Sequence, residues 1–126
     1  MSTKVKKSVW ARLGILVCCF LLLFSMAACS SEKKHYEECV EILRERLIDP
    51  TSLLIAEADS IQDPEGKDIA YRIVYNAKNK YGGYVGNETV YFLYDSETDK
   101  VSMGGTAGLN YGTWGIAGGK TKSYVD

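Results

Sequence analysis

The chain has 126 residues, of which 46% are hydrophobic and 25% charged, with 15 basic and 16 acidic residues in all. Four of the basic residues and none of the acidic ones lie in residues 1–28, so the rest of the chain carries 11 basic residues against 16 acidic ones. An acidic surface repels nucleic-acid phosphates, which excludes nucleic acid as a partner. Residues 29–126 suffice for one domain with a modest core.

Residues 1–28 have the three parts of a bacterial export signal: a cationic start, an apolar run over residues 13–24 and a stretch of small residues. Met26-Ala27-Ala28-Cys29 resembles the lipobox of bacterial lipoproteins. The resemblance implies that signal peptidase II removes residues 1–28 and that Cys29 carries a diacylglyceryl group. The alternative is an uncleaved membrane helix, but residues 13–28 are fewer than the ~20 that usually span a bilayer. Either interpretation predicts a chain held at the bacterial cell membrane on its extracytoplasmic face.

An amphipathic helix is predicted over residues 32–48, after a short linker at residues 29–32. Apolar residues recur there at helical spacing, and Pro50 ends the pattern because the residue before a proline is pushed out of the helical region. Cys39 lies in this apolar stripe four residues after His35, so a nucleophile and base pair is one interpretation. The acidic neighbours and the stripe favour a buried core cysteine instead.

Alternating apolar residues predict four strands, over residues 53–60, 69–78, 88–95 and 100–103. The turn signals between them pair Ala58 with Tyr71, Tyr71 with Tyr94, and Tyr94 with Val101. All three turns place one apolar set on the same sheet face: Leu54, Ala56, Ala58, Tyr71, Ile73, Tyr75, Val90, Phe92, Tyr94, Val101 and Met103. The predicted fold class is α+β, with one N-terminal helix packed on a four-stranded antiparallel β-meander in a domain over residues 33–103.

Residues 104–126 form a glycine-rich C-terminal segment. Seven glycines between residues 104 and 119 disfavour the interior of a helix or strand, yet apolar residues including Trp114 are spread among them. Two interpretations stay open. The segment is either a disordered tail, or it docks on the second face of the sheet or on a partner with Trp114 as its anchor.

The candidate binding residues besides Trp114 are in the loop after the second strand: Tyr81, Gly82, Gly83 and Tyr84. Two tyrosines beside flexible backbone suit a recognition tip, because their rings contribute contact area at low entropic cost. A Gly-Gly hairpin with a cross-strand tyrosine pair is the alternative. The acidic loops lack the spacing of a calcium site, so the sequence predicts no metal. It shows no acid/base or nucleophile set, so it predicts no catalytic residue, and it predicts no cofactor.

Two segments, Leu47-Ile48-Asp49-Pro50-Thr51-Ser52 and residues 76–86, resemble a small domain of uncharacterised bacterial lipoproteins and prophage-associated proteins. That resemblance implies no activity or ligand. The leading hypothesis is a non-catalytic extracytoplasmic binding module, which meets a membrane-proximal protein or an envelope component. The alternatives are a prophage-type envelope defence or exclusion lipoprotein and, less favoured, a carboxylate-based hydrolase.

Overall fold

The computed structural model describes the backbone of residues 2–126 and the side chains of residues 11–20 and 31–126. The chain forms two compact units, residues 1–34 and residues 35–126. The elements in chain order are α1 Ser2–Arg46, a short 3-10 helix Pro50–Ser52, β1 Leu54–Gln62, β2 Ile69–Asn76, β3 Glu88–Asp95, β4 Lys100–Met103, α2 Ala107–Ile116 and β5 Thr121–Ser123.

The helix α1 begins well before the predicted start at residue 32. Its backbone is helical from Ser2. The export-signal pattern and the amphipathic stripe form one continuous helix because no proline or glycine pair interrupts the residues between them. Cys29 belongs to this helix, but its side chain lies outside the described residues. Among the residues whose side chains are described, no helical stretch has the length and apolar character needed to cross a membrane.

The α+β class and the antiparallel sheet are confirmed, and the sheet has five strands in the order β4-β3-β2-β1-β5. The four predicted strands are present within two residues of their expected bounds. The fifth strand comes from the glycine-rich segment and pairs with residues Asp59 to Ile61 on the outer edge of β1.

Two of the three predicted registers are wrong by two residues. Ala58 faces Ile73 instead of Tyr71, and Tyr71 faces Phe92 instead of Tyr94. The turn at Asp63 is present, but the backbone amide of Asp63 also bonds to the carbonyl of Asp68, so the loop holds more residues than a tight hairpin. An even shift by itself moves no side chain to the other face of the sheet. The pairing of Tyr94 with Val101 is as predicted.

A β-bulge at Ala56 changes which residues at the start of β1 face the core, so the predicted inward face is wrong there. The register shifts between Ile55 and Glu57, so Ile55 packs on the core while Leu54, predicted to face inward, is 55% exposed. Ala56 is exposed as well. A bulge inserts one residue into a strand and reverses the alternation beyond it, which a strict period of two cannot anticipate.

The core lies between the first sheet face and the second half of α1. Cys39 and Leu43 pack there against Tyr71, Ile73 and Phe92. Cys39 is completely buried, which confirms the prediction of a core cysteine. Burial, with the charge of Glu38 in second place, raises the pKa of its thiol, so the thiol stays protonated and unreactive.

The glycine-rich segment folds onto the opposite sheet face, which decides between the two open interpretations in favour of docking. Helix α2 lies over Ile61 and Tyr91, which point away from the α1 side because alternate strand residues face opposite ways. A Cβ atom on Gly108 would meet the Tyr91 ring at 3.2 Å, and one on Gly115 would meet Ile61 at 3.3 Å. Glycine lets the helix backbone approach the sheet closely. The docking interpretation is therefore the one that the structure supports.

Candidate functional site

The chain enters the unit of residues 35–126 at His35, beside the start of β2. The His35 Nε2 atom lies 3.2 Å from Asp99 Oδ1, and its ring centroid is 4.0 Å from that of Tyr94. Tyr94 also donates a hydrogen bond from its hydroxyl to Asp99 Oδ1, at 3.0 Å. Tyr94 pairs with Ile69, the first residue of β2. The end of the sheet where the chain enters, the entry end, therefore also carries the turn between β1 and β2.

The opposite end carries the loop over residues 77–87 between β2 and β3. Tyr81 is 83% exposed and Tyr84 47% exposed, so both candidate tyrosines present their rings to solvent. The eight residues of β2 separate the two ends by about 26 Å at ~3.3 Å per residue. The tyrosines therefore lie far from the point where the chain enters.

Asn79 organises this loop. Its side-chain oxygen accepts hydrogen bonds from the backbone amides of Tyr81 and Gly83, at 2.9 and 3.2 Å. Its backbone also bonds to Gly82 and Gly83, and Lys78 forms an antiparallel bridge with Tyr84. Gly82 adopts a φ of 81°, which a residue with a side chain rarely adopts. The glycine turn and the exposed tip are thus one structure, but Tyr84 bridges to Lys78, so the predicted cross-strand pair of Tyr81 with Tyr84 is not formed.

A cleft lies beside the loop, where α1 ends. Its volume is about 220 Å³, and it is lined by Arg46, Leu47, Ile48, Tyr75, Ala77, Lys78, Asn79, Val85, Gly86 and Glu88. The Ser52 hydroxyl accepts a hydrogen bond from the Lys78 amide at 2.8 Å and donates one to the Asp49 carbonyl at 2.8 Å. These bonds tie the segment around Pro50 to the tyrosine loop, which explains why both segments meet at one place.

Sequence reasoning missed most of the cleft. Ile48 was expected inside the helix, but α1 ends at Arg46 and leaves Ile48 70% exposed. Glu88 was expected only as the first residue of a strand, yet its carboxylate accepts a hydrogen bond from the Tyr75 hydroxyl at 2.9 Å. Burial and this bond raise the pKa of Tyr75. The Asp49-Pro50 pair was the available signal, because it marks a bend that exposes its neighbours.

Trp114 does not join the tyrosine loop. It lies on α2 next to Gly115, which contacts Ile61, and its carbonyl accepts a hydrogen bond from Gly119 at 2.8 Å. Ile61 pairs with Ala70 near the start of β2, so Trp114 is close to the entry end of the sheet. The five candidate residues therefore form two separate regions on opposite ends of the sheet.

A polar network fixes α2 to the second sheet face. Tyr111 donates a hydrogen bond to Asp59 Oδ1 at 2.6 Å, and Arg72 bonds to both oxygens of that carboxylate and to Glu57 at 3.0 Å. Burial alone raises the pKa of Asp59, but the bonds from Arg72 and Tyr111 outweigh it and leave that pKa lowered. Burial and the bond to Asp59 raise the pKa of Tyr111 to about 12. These bonds hold the charged groups of Arg72 and Asp59 in fixed positions beneath α2, so the network has a structural role.

The acidic loop before β4 is stabilised from within. Asp95 accepts hydrogen bonds from the Glu97 amide and the Thr98 hydroxyl, both at 2.9 Å. These bonds lower the pKa of Asp95, the bond from the Glu97 amide most. Within the residues that the structure describes, no three His, Cys, Asp or Glu side chains come together as metal ligands would.

Comparison of the chain with protein-family models, with curated proteins and with solved structures found no significant match. The resemblance to the small domain of bacterial lipoproteins and prophage-associated proteins therefore stays a prediction. The conclusions about function below are based on the chain's own residues and their geometry.

Proposed function

We propose that the protein is a lipid-anchored module on the extracytoplasmic face of a bacterial membrane, and that it binds a partner through its tyrosine loop and the adjoining cleft. The observation that carries the proposal is the position of Tyr81 and Tyr84. Both are exposed, and both lie at the end of the sheet opposite to the residue where the chain enters.

The anchor is proposed from the residues before that entry point. Cys29 precedes His35 by six residues, so even a fully extended chain allows at most about 21 Å between them at ~3.5 Å per residue. The entry end then stays close to the bilayer, while the tyrosine loop lies up to a full strand length farther out. Two acyl chains would make the attachment stable, since a single chain gives only marginal membrane binding.

The two tyrosines suit a contact surface because they combine apolar rings with polar hydroxyls on few rotatable bonds. Asn79 holds the loop backbone with two side-chain hydrogen bonds, which reduces the ordering cost on binding. A partner at the membrane surface, either a protein or an envelope component, would reach this end without displacing the anchor.

The anchor is tested by fractionation of bacteria that produce the chain or its Cys29→Ser variant. We expect the wild-type chain in the membrane fraction with an incorporated radioactive fatty acid, and the variant without the label. Equal labelling of both chains would contradict lipidation at Cys29.

The binding end is tested by photo-crosslinking in the same cells, with a benzophenone amino acid at position 84. The matched control carries it at position 65, where Glu65 has a 73% exposed side chain on the turn at the entry end. We expect a discrete cross-linked species from position 84 and none of that size from position 65. No species from position 84, or the same species from both, would contradict the proposed contact surface.

A further inference from the structure

The cations beside the tyrosine loop are free of ion pairs. Arg46, Lys78 and Lys80 form none with any side chain that the structure describes, whereas Arg44, Lys67 and Arg72 each pair with a carboxylate. Arg46 and Lys78 line the cleft and Lys80 lies in the adjoining loop, so this end offers three cations to an anionic partner.

Two of these cations are positioned by the tyrosines. The Lys78 ammonium lies 5.6 Å from the ring centroid of Tyr84, and that of Lys80 lies 5.1 Å from the ring centroid of Tyr81. A cation above an aromatic ring keeps its full charge and its hydrogen-bond donors while its freedom is reduced. The loop therefore presents its positive charges in a partly ordered arrangement.

Apolar side chains lie next to these charges. Ile48 and Val85 line the cleft and are 70% and 61% exposed, and Leu47 lines it as well. The cleft volume of about 220 Å³ is below the ~300–1,000 Å³ of pockets that enclose a drug-sized ligand. It accommodates one or two side chains of a larger partner.

Two side-chain acceptors at the cleft hold donors from the chain itself. Glu88 accepts a bond from Tyr75, and the Asn79 oxygen accepts two bonds from backbone amides. A surface with cations beside exposed aliphatic side chains suits a peptide that carries both carboxylates and apolar side chains, because each finds a complementary group.

We propose that this end of the protein binds an acidic peptide segment of a membrane-proximal protein. Its carboxylates would pair with Arg46, Lys78 and Lys80, and a neighbouring apolar side chain would enter the cleft between Ile48 and Val85. This inference rests on the proposed function, because it names the chemistry of the partner for the same surface.

The test is a selection of displayed random heptapeptides against the full-length chain held in nonionic detergent. We expect enrichment of peptides that combine Asp or Glu with Leu, Ile, Val or Phe. The same selection against a Lys78→Glu, Lys80→Glu double variant should lose these peptides and enrich basic ones. The matched control is Lys67→Glu at the opposite end of the sheet, which should select the same acidic peptides as the wild-type chain.

A selected peptide is then made with a fluorescent label for anisotropy titrations. We expect the double variant to bind it at least tenfold more weakly than wild type, and 300 mM salt to weaken wild-type binding severalfold relative to 20 mM. Selected peptides without acidic residues, an unchanged affinity in the double variant, or no enrichment at all would overturn the proposal. A position-84 cross-link that persists while the peptide selection fails would overturn the peptide chemistry alone and leave the proposed contact surface intact.

Discussion

Gly119 provides the most direct test of how the C-terminal segment is packed. A Cβ atom at this position would lie 2.2 Å from the carbonyl oxygen of Gln62 and 3.0 Å from that of Trp114. The first distance is more than 1 Å inside ordinary van der Waals contact, and both neighbours are backbone atoms that no side-chain rotation can move. Alanine at this position must therefore push the end of α2 away from the edge of β1.

That displacement would break specific bonds. The Gly119 amide donates to the Trp114 carbonyl, and the next residue accepts a bond at 3.0 Å from the Gln62 amide, where β5 begins to pair with β1. We expect Gly119→Ala to lower the free energy of unfolding by about 2–3 kcal/mol, at the upper end of the usual cost of overpacking. With a urea dependence of ~1–3 kcal/mol per molar, the unfolding midpoint falls by about 0.7–3 M.

The assay is urea unfolding of the full-length chain in nonionic detergent, followed by circular dichroism. Gly83→Ala is the matched control, since a Cβ atom there meets nothing within 4 Å and the residue is exposed. We expect the control to change the midpoint little. Equal midpoints for Gly119→Ala and the wild-type chain would refute the close approach of α2 to β1.

Three further predictions concern the same unit. Gly112→Ala should stabilise the chain by about 0.5–1 kcal/mol in urea unfolding, because a Cβ atom meets nothing there and alanine favours a helix. Stability should decrease as the pH rises from 10 to 12, since folded Tyr111 keeps its proton to a pKa of about 12. Tyr111→Phe should weaken this dependence without removing it, because the pKa values of Tyr36, Tyr75 and Tyr94 are raised as well. Iodoacetamide should modify Cys39 only after unfolding, as peptide mass spectrometry would show; labelling of the folded chain would contradict its burial.

The pH prediction at Tyr111 has a counterpart at low pH. The pKa of Asp59 is lowered in the folded chain, so its contribution to stability is present at neutral pH and is lost as the pH falls through the folded pKa. Asp59 and Tyr111 titrate at opposite ends of the pH scale. The attachment of α2 is therefore expected to be strongest at intermediate pH.

The amphipathic stripe and the alternating strands could be read from sequence because each depends on neighbours in the chain. Cys39 recurs with Val40 and Leu43 at helical spacing, and all three are in the core. The register between strands was less predictable, since it depends on loop lengths, and the loops before β2 and β3 each added an even shift. The bulge at Ala56 left no local signal.

Some residues of the candidate site could likewise be predicted from sequence, and others could not. Tyr81 and Tyr84 were identified from their place beside two glycines, and both are exposed. The cleft residues Arg46 and Ile48 were not identified, because they lie far from the loop in sequence and meet it only after α1 ends. Trp114 was predicted as the anchor of the separate C-terminal segment, and the fold places it about the length of β2 away from the tyrosines.

The sequence by itself determined the elements that follow from local periodicity: the second half of α1, the strands β1 to β4 and the chemical pattern that ends at Cys29. Only the tertiary structure decided the fate of the glycine-rich segment. Glycine disfavours an isolated helix, but here the missing side chains let α2 lie against Tyr91 and Ile61, and that burial compensates for the weak propensity. The same kind of long-range packing brings Arg46 and Ile48, at the end of α1, beside the loop that carries Lys78, Lys80 and the two tyrosines.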